Sequence, residues 1–87
     1  MLGELAGYIN SAGTQLAEAR QNLALAQDSL EGAKGAIAEA MGDASSETLQ
    51  DYMAFVNRAI AEVQDAIGQI DAGHDKGQEF IGRLAGM

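Results

Sequence analysis

An unbroken heptad pattern runs through both halves of this 87-residue chain and constrains its fold more than any other feature. In the first half, apolar residues recur at alternating spacings of three and four, which is the seam of a coiled coil. This seam consists of Leu2, Leu5, Ile9, Ala12, Leu16, Ala19, Leu23, Ala26, Leu30, Ala33, Ile37 and Ala40. One of its two columns is entirely Leu or Ile, and the other is Ala after Leu5. The pattern predicts a helix over about residues 2–41, about 60 Å long at 1.5 Å per residue.

A second seam with the same alternating spacing fills the other half of the chain. It consists of Leu49, Met53, Val56, Ile60, Val63, Ile67, Ile70, His74, Gly77, Ile81 and Leu84. Residues 42–46 separate the two seams. Gly42 suits a left-handed helix C-terminus, and Ser45 or Ser46 suits the N-cap of the following helix. The sequence therefore predicts a second helix over about residues 47–85.

Two helices of nearly equal length joined by a short turn predict an all-α fold. The expected architecture is an antiparallel coiled-coil hairpin that forms a single domain. Centring the turn near Asp43 places Leu30 opposite Val56 and Ala12 opposite His74. A shift of half a heptad gives an alternative register.

Two glycines near the end of the second seam offer an alternative architecture. Gly73 and Gly77 each lower helix propensity by about 1 kcal/mol relative to Ala, so a break there would create a third short helix. The seam crosses this segment without a change of phase. The constant phase favours one continuous helix.

The composition excludes several classes of protein. Thirteen acids against five bases give a net charge of -8, and the chain has no Cys and no Pro. Disulfides and thiolate metal sites are therefore impossible, and the lack of a basic stripe disfavours nucleic acid as a partner. No apolar run approaches the roughly 20 residues that a membrane span needs. The first residues carry an acid and no base, which predicts synthesis in the cytoplasm without a secretory signal peptide.

Apolar residues beside the second seam predict a surface for a partner. One column repeats at strict intervals of seven and consists of Tyr52, Ala59, Ala66, Gly73 and Phe80. A lone hairpin covers only one stripe of each helix, so this extra width favours pairing of two hairpins into a four-helix bundle. The partner is then a second copy of the chain or a paralogous hairpin. The candidate interface residues are Tyr52, Met53, Phe55, Ala59, Ala66 and Phe80.

His74, the only histidine, lies on the second seam and is the one candidate for pH-sensitive or metal chemistry. Asp71 precedes it by three residues, so both side chains could reach one ion from the same helix. The facing seam is aliphatic and supplies no further ligand. The sequence therefore predicts a pH-sensitive core histidine, no metal and no cofactor. No catalytic motif is present, which predicts that the chain is not an enzyme.

In its whole length the chain resembles small proteins of the WXG superfamily, which are substrates of type VII secretion systems. The resemblance consists of chain length, an acidic Ala-rich composition, the absence of Cys, and two long helices around a central turn. Of the family's Trp-x-Gly turn motif the chain keeps only Gly42, and the family's C-terminal export motif, a Tyr followed four residues on by an acid, is absent. The resemblance implies a helical hairpin that pairs with another hairpin and is exported without a cleaved signal peptide.

These observations give one main hypothesis for function and two alternatives. The main hypothesis is a non-enzymatic hairpin that acts through protein–protein interaction as a homodimer or heterodimer. The first alternative is a structural, self-assembling coiled coil of the phage or filament type. The second is a helical bundle that binds a metal or a ligand through His74.

Overall fold

Two long helices and one short turn make up the computed structural model, which describes residues 2–44 and 46–86. Helix α1 spans Leu2–Asp43 and helix α2 spans Glu47–Ala85. The helices pack against each other in antiparallel orientation along a rod that measures 64 × 14 × 13 Å. The all-α hairpin that the two seams predict is confirmed.

The turn differs from the expectation at its first residue. Helix α1 continues through Gly42 to Asp43, and no glycine among the described residues has a positive φ, so the predicted left-handed end at Gly42 is wrong. Ser46 is the N-cap of α2, and its side-chain oxygen accepts a hydrogen bond from the Leu49 N–H at 3.5 Å. Ser45, the other candidate cap, lies outside the described residues.

Helix α2 is a single element and passes through Gly73 and Gly77 without a break. The alternative of a third short helix is therefore wrong. Within the described residues, neither helix contains a stretch long and apolar enough to cross a membrane.

Close contacts between the helices define their register. A methyl group placed on Gly77 would lie 3.3 Å from Ile9 Cγ2, and one placed on Gly13 would lie 3.6 Å from the His74 ring. The residue numbers of these opposing pairs add up to 86 and 87, which matches the predicted register and not a half-heptad shift. At His74, however, the structure places Gly13 next to the ring, whereas the heptad register predicted Ala12 there.

The unequal size of the two seam columns explains this difference at His74. In α1 the large side chains all belong to the Leu/Ile column, and burying one of them contributes about 1.5–3 kcal/mol, more than Ala can. Helix α1 therefore points the Leu/Ile column at α2 and leaves part of the Ala column in water. Ala12 and Ala40 are exposed, whereas the three alanines between them in this column are half-buried. Four of the residues that directly follow a member of this column are half-buried as well. Those half-buried residues are Ala6, Gly13, Gln27 and Met41.

The hydrophobic core is small and lies near the turn. Among the described residues only Ile37, Val56 and Ile60 are buried, with Leu30, Met41 and Met53 packed against them. The accessible surface is 6168 Å², whereas a compact protein of this mass exposes about 4,900 Å². The radius of gyration of 19.5 Å likewise exceeds the roughly 12 Å of a globular domain of this length. The hairpin alone thus leaves an unusually large surface in water.

Candidate interaction surface

The two sides of the hairpin are best described by heptad position. We letter the Leu/Ile column of α1 as position a and its Ala column as position d. In α2, Ile60 and Ile67 hold position a, while Val56 and Val63 hold position d. Positions e and g then flank the seam on its two sides, and positions b and c lie next to them, further from the partner helix.

An ion pair between two e positions marks one side of the hairpin. Arg20 Nε donates to Asp71 Oδ1 at 2.7 Å, and Arg20 Nη2 donates to Asp71 Oδ2 at 3.3 Å. The hydrogen bonds from Arg20 are the main cause that lowers the pKa of Asp71; desolvation opposes them, and the charges of Arg20 and His74 lower this pKa by smaller amounts. The same pairing raises the pKa of Arg20. Because both e columns lie on this side, both g columns lie on the opposite side.

On the side formed by the two g columns, no charged side chain lies between residues 8 and 36 of α1 or between residues 52 and 80 of α2, and we call this stretch the uncharged face; Asp43, the last g residue of α1, lies beyond it at the turn. The uncharged face consists of Tyr8, Gln15, Asn22, Ser29 and Ala36 of α1 and of Tyr52, Ala59, Ala66, Gly73 and Phe80 of α2. The α1 residues of this face are all exposed, and the α2 residues are exposed except for the half-buried Ala59 and Ala66. The e columns, by contrast, contain Arg20, Lys34 and Asp71.

All four aromatic residues of the chain lie on or beside the uncharged face. The exposed fraction is 72% for Tyr8, 54% for Tyr52 and 41% for Phe80. Phe55 holds a neighbouring c position and is 65% exposed. Leu25, also at position c, is 58% exposed. Large apolar side chains gathered on one side of a small protein typically mark an interaction site.

Phe55 also contacts a basic side chain on the outer surface of α2. The Cζ atom of Arg58 lies 5.4 Å from the centroid of the Phe55 ring, within the range of a cation–π contact. This contact covers one part of the ring and leaves most of it in water.

The predicted interface residues differ in how deeply the structure buries them. Tyr52, Phe55 and Phe80 are exposed, as a contact surface requires. Ala59 and Ala66 are half-buried on the same face. Met53 instead packs against the core cluster, so its side chain serves the hairpin itself. Sequence reasoning missed Tyr8, although its g position in α1 was readable from the seam.

His74 is half-buried on the opposite side of the hairpin, near the ion pair. A groove of about 250 Å³ opens there, lined by Leu16, Ala17, Arg20, Ile70, Asp71 and His74. Its volume is below the roughly 300–1,000 Å³ of ordinary ligand pockets. Within residues 2–44 and 46–86, no group of three or more His, Cys, Asp or Glu side chains could hold a metal ion.

Comparison of the chain with protein-family models, curated proteins and solved structures gives no match.

Proposed function

We propose that this chain is a non-enzymatic interaction protein whose uncharged face binds a second helical hairpin, forming a four-helix bundle. The exposure of every aromatic residue, on or beside this one face, carries the proposal. Aromatic side chains are enriched among the residues that dominate binding energy, because they bury large apolar areas.

The surface area of the hairpin supports the same proposal. It exceeds that of a compact protein by about 1,300 Å², and a standard interface takes about 800 Å² from each partner. The hairpin can therefore supply an interface of ordinary size without disturbing its own seam. Pairing would also supply the apolar burial that three buried residues provide only weakly.

The resemblance to the WXG superfamily stays a prediction. A hairpin of two long helices is the shape that the resemblance implies. Pairing with a paralogous hairpin, and export without a cleaved signal peptide, rest on that resemblance alone. The proposed interaction does not depend on it.

Site-specific photo-crosslinking in the native cell tests the proposed face. A photoreactive phenylalanine analogue replaces Phe80 in one variant and Gln78 in a matched control. Both positions belong to the same turn of α2, but Gln78 holds an e position on the opposite side. We expect one discrete adduct from position 80 and none from position 78.

A second change checks that the adduct depends on the whole face. Tyr52 lies four heptads from Phe80 on the same column, so Tyr52→Glu should abolish the adduct because it places a charge inside the interface. An adduct of equal yield from position 78, or one that survives Tyr52→Glu, would contradict the proposal.

A further inference from the structure

The shape of the uncharged face limits what can cover it. The face runs along a rod 64 Å long, and the grooves beside Phe55 and Phe80 are open and hold only about 250 and 230 Å³, so a small ligand would leave most of the face in water. An occupant that covers the face needs the same length and a matching pattern of large and small side chains. A second copy of this chain has both.

We propose that two copies pair through their uncharged faces with their turns at the same end, related by a twofold axis parallel to the helices. This inference rests on the proposed function and names its partner and geometry. In such a dimer α1 of each copy lies against α2 of the other. The alternative twofold arrangement, with the turns at opposite ends, would instead stack α1 on α1.

The register shows what the same-end arrangement brings together. Opposing residue numbers within the hairpin add up to 86 or 87, and the copies share one direction, so the same sum relates α1 to the partner's α2. Tyr8 then lies within about 3 Å of the level of the partner's Phe80, at 1.5 Å per residue. Ala36 lies likewise at the level of the partner's Tyr52. Between these ends the face offers small or uncharged pairs, which permit close approach of the helices.

Charges along the borders of the face discriminate between the two arrangements. The c column of α1 contains Glu4, Ser11, Glu18, Leu25, Gly32 and Glu39. The c column of α2 contains Thr48, Phe55, Glu62, Gln69, Lys76 and Arg83. With the turns at the same end, Glu4 lies level with the partner's Arg83, and no acid of one column lies level with an acid of the other. With the turns at opposite ends and full overlap, Glu4 lies level with the partner's Glu39, a like-charge contact that costs energy.

The missing side chain of Gly32 also favours the same-end arrangement. It is exposed in the middle of α1, and a methyl group added there would meet nothing within 4 Å in the hairpin. Such a glycine costs about 1 kcal/mol relative to Ala, and packing within the hairpin gives no reason for it. In the same-end dimer Gly32 lies level with the partner's Phe55, where a missing side chain leaves room for the ring.

A distance measurement between the two turns tests this geometry. The chain has no Cys, so Ala44→Cys provides a single attachment point for a spin label at the exposed turn. Pulsed electron paramagnetic resonance on the purified full-length chain should give a distance of about 15–30 Å, because helices in a bundle lie 8–10 Å apart. Dilution with unlabelled chain should weaken the signal, which shows that the distance joins two copies.

The other outcomes overturn the inference and leave the proposed function separately testable. A distance near the 64 Å length of the rod would show the opposite-end arrangement. A monomer at tens of micromolar, measured by light scattering, would exclude the second copy as the partner. In that case an adduct from position 80 in the cell would still support the proposed face, whereas its absence would remove both proposals.

Discussion

The contact of Arg20 with Asp71 changes the acidity of a carboxyl group across the two helices. The two hydrogen bonds stabilise the charged form of Asp71, which lowers its pKa. A carboxyl whose pKa is lower in the folded state stabilises the fold above its unfolded pKa of about 3.9. That contribution is lost as the pH falls through the lower folded value. Both side chains are about half exposed, so the effect on stability is small.

Substituting Arg20→Gln should therefore raise the pKa of Asp71 towards its ordinary value. Carbon-detected NMR titration of the Asp71 carboxyl measures this pKa directly. Arg58→Gln is the matched control, because Arg58 contacts Phe55 and takes no part in the ion pair. An unchanged pKa in Arg20→Gln, or an equal rise in Arg58→Gln, would show that the ion pair does not form in solution.

At the scale of the helix, glycines in α2 differ in what surrounds them. A methyl group added to Gly68 would meet nothing within 4 Å, whereas one added to Gly77 would lie 3.3 Å from Ile9 Cγ2. At Gly68, glycine lowers the stability of the helix, and no close neighbour requires its small size. At the second position, glycine allows α1 and α2 to approach closely.

The substitution Gly68→Ala should raise the free energy of unfolding by about 0.8–1 kcal/mol, the propensity difference between the two residues. Gly77→Ala should raise the free energy of unfolding by clearly less, because the half-buried Ile9 side chain must move to make room for the methyl group. Urea denaturation of the two variants beside the wild type measures both values. An equal increase in the free energy of unfolding for both variants would mean that the helices lie further apart at Gly77 than in the structure.

The sequence predicted the helices well because the heptad phase is a property of each segment alone. The seam crosses Gly73 and Gly77 without a shift, and burial along it outweighs the low propensity of two glycines. The neighbour of His74 was less predictable, because it depends on how α1 rotates about its axis. That rotation follows from the packing of large Leu and Ile columns against α2, which spacing alone does not reveal. Tyr8 was not among the predicted interface residues because it lies in α1, outside the apolar column of α2.

As a whole molecule, the hairpin has much surface and little core. Three buried residues pack the two helices together near the turn, whereas Leu2 and Leu5 at the other end are 48% and 43% exposed. The open end should therefore separate more easily than the turn end. Binding of a second copy along the uncharged face would act over the full length, because Tyr8 and Phe80 lie at the open end and Tyr52 near the turn.

Association of this kind makes thermal stability depend on protein concentration. For a dimer that unfolds to two free chains, a tenfold increase in concentration stabilises the folded state by about 1.4 kcal/mol. In a bundle of this size, that energy corresponds to a rise in Tm of about 3–5 °C. Phe80→Glu places a charge in the interface, so its Tm should be lower and independent of concentration in the micromolar range. Gln78→Glu adds the same charge on the opposite side and should keep the wild-type dependence. Circular dichroism melts at several concentrations measure all three chains, and a wild-type Tm that does not change would show that the hairpin is stable without a second copy.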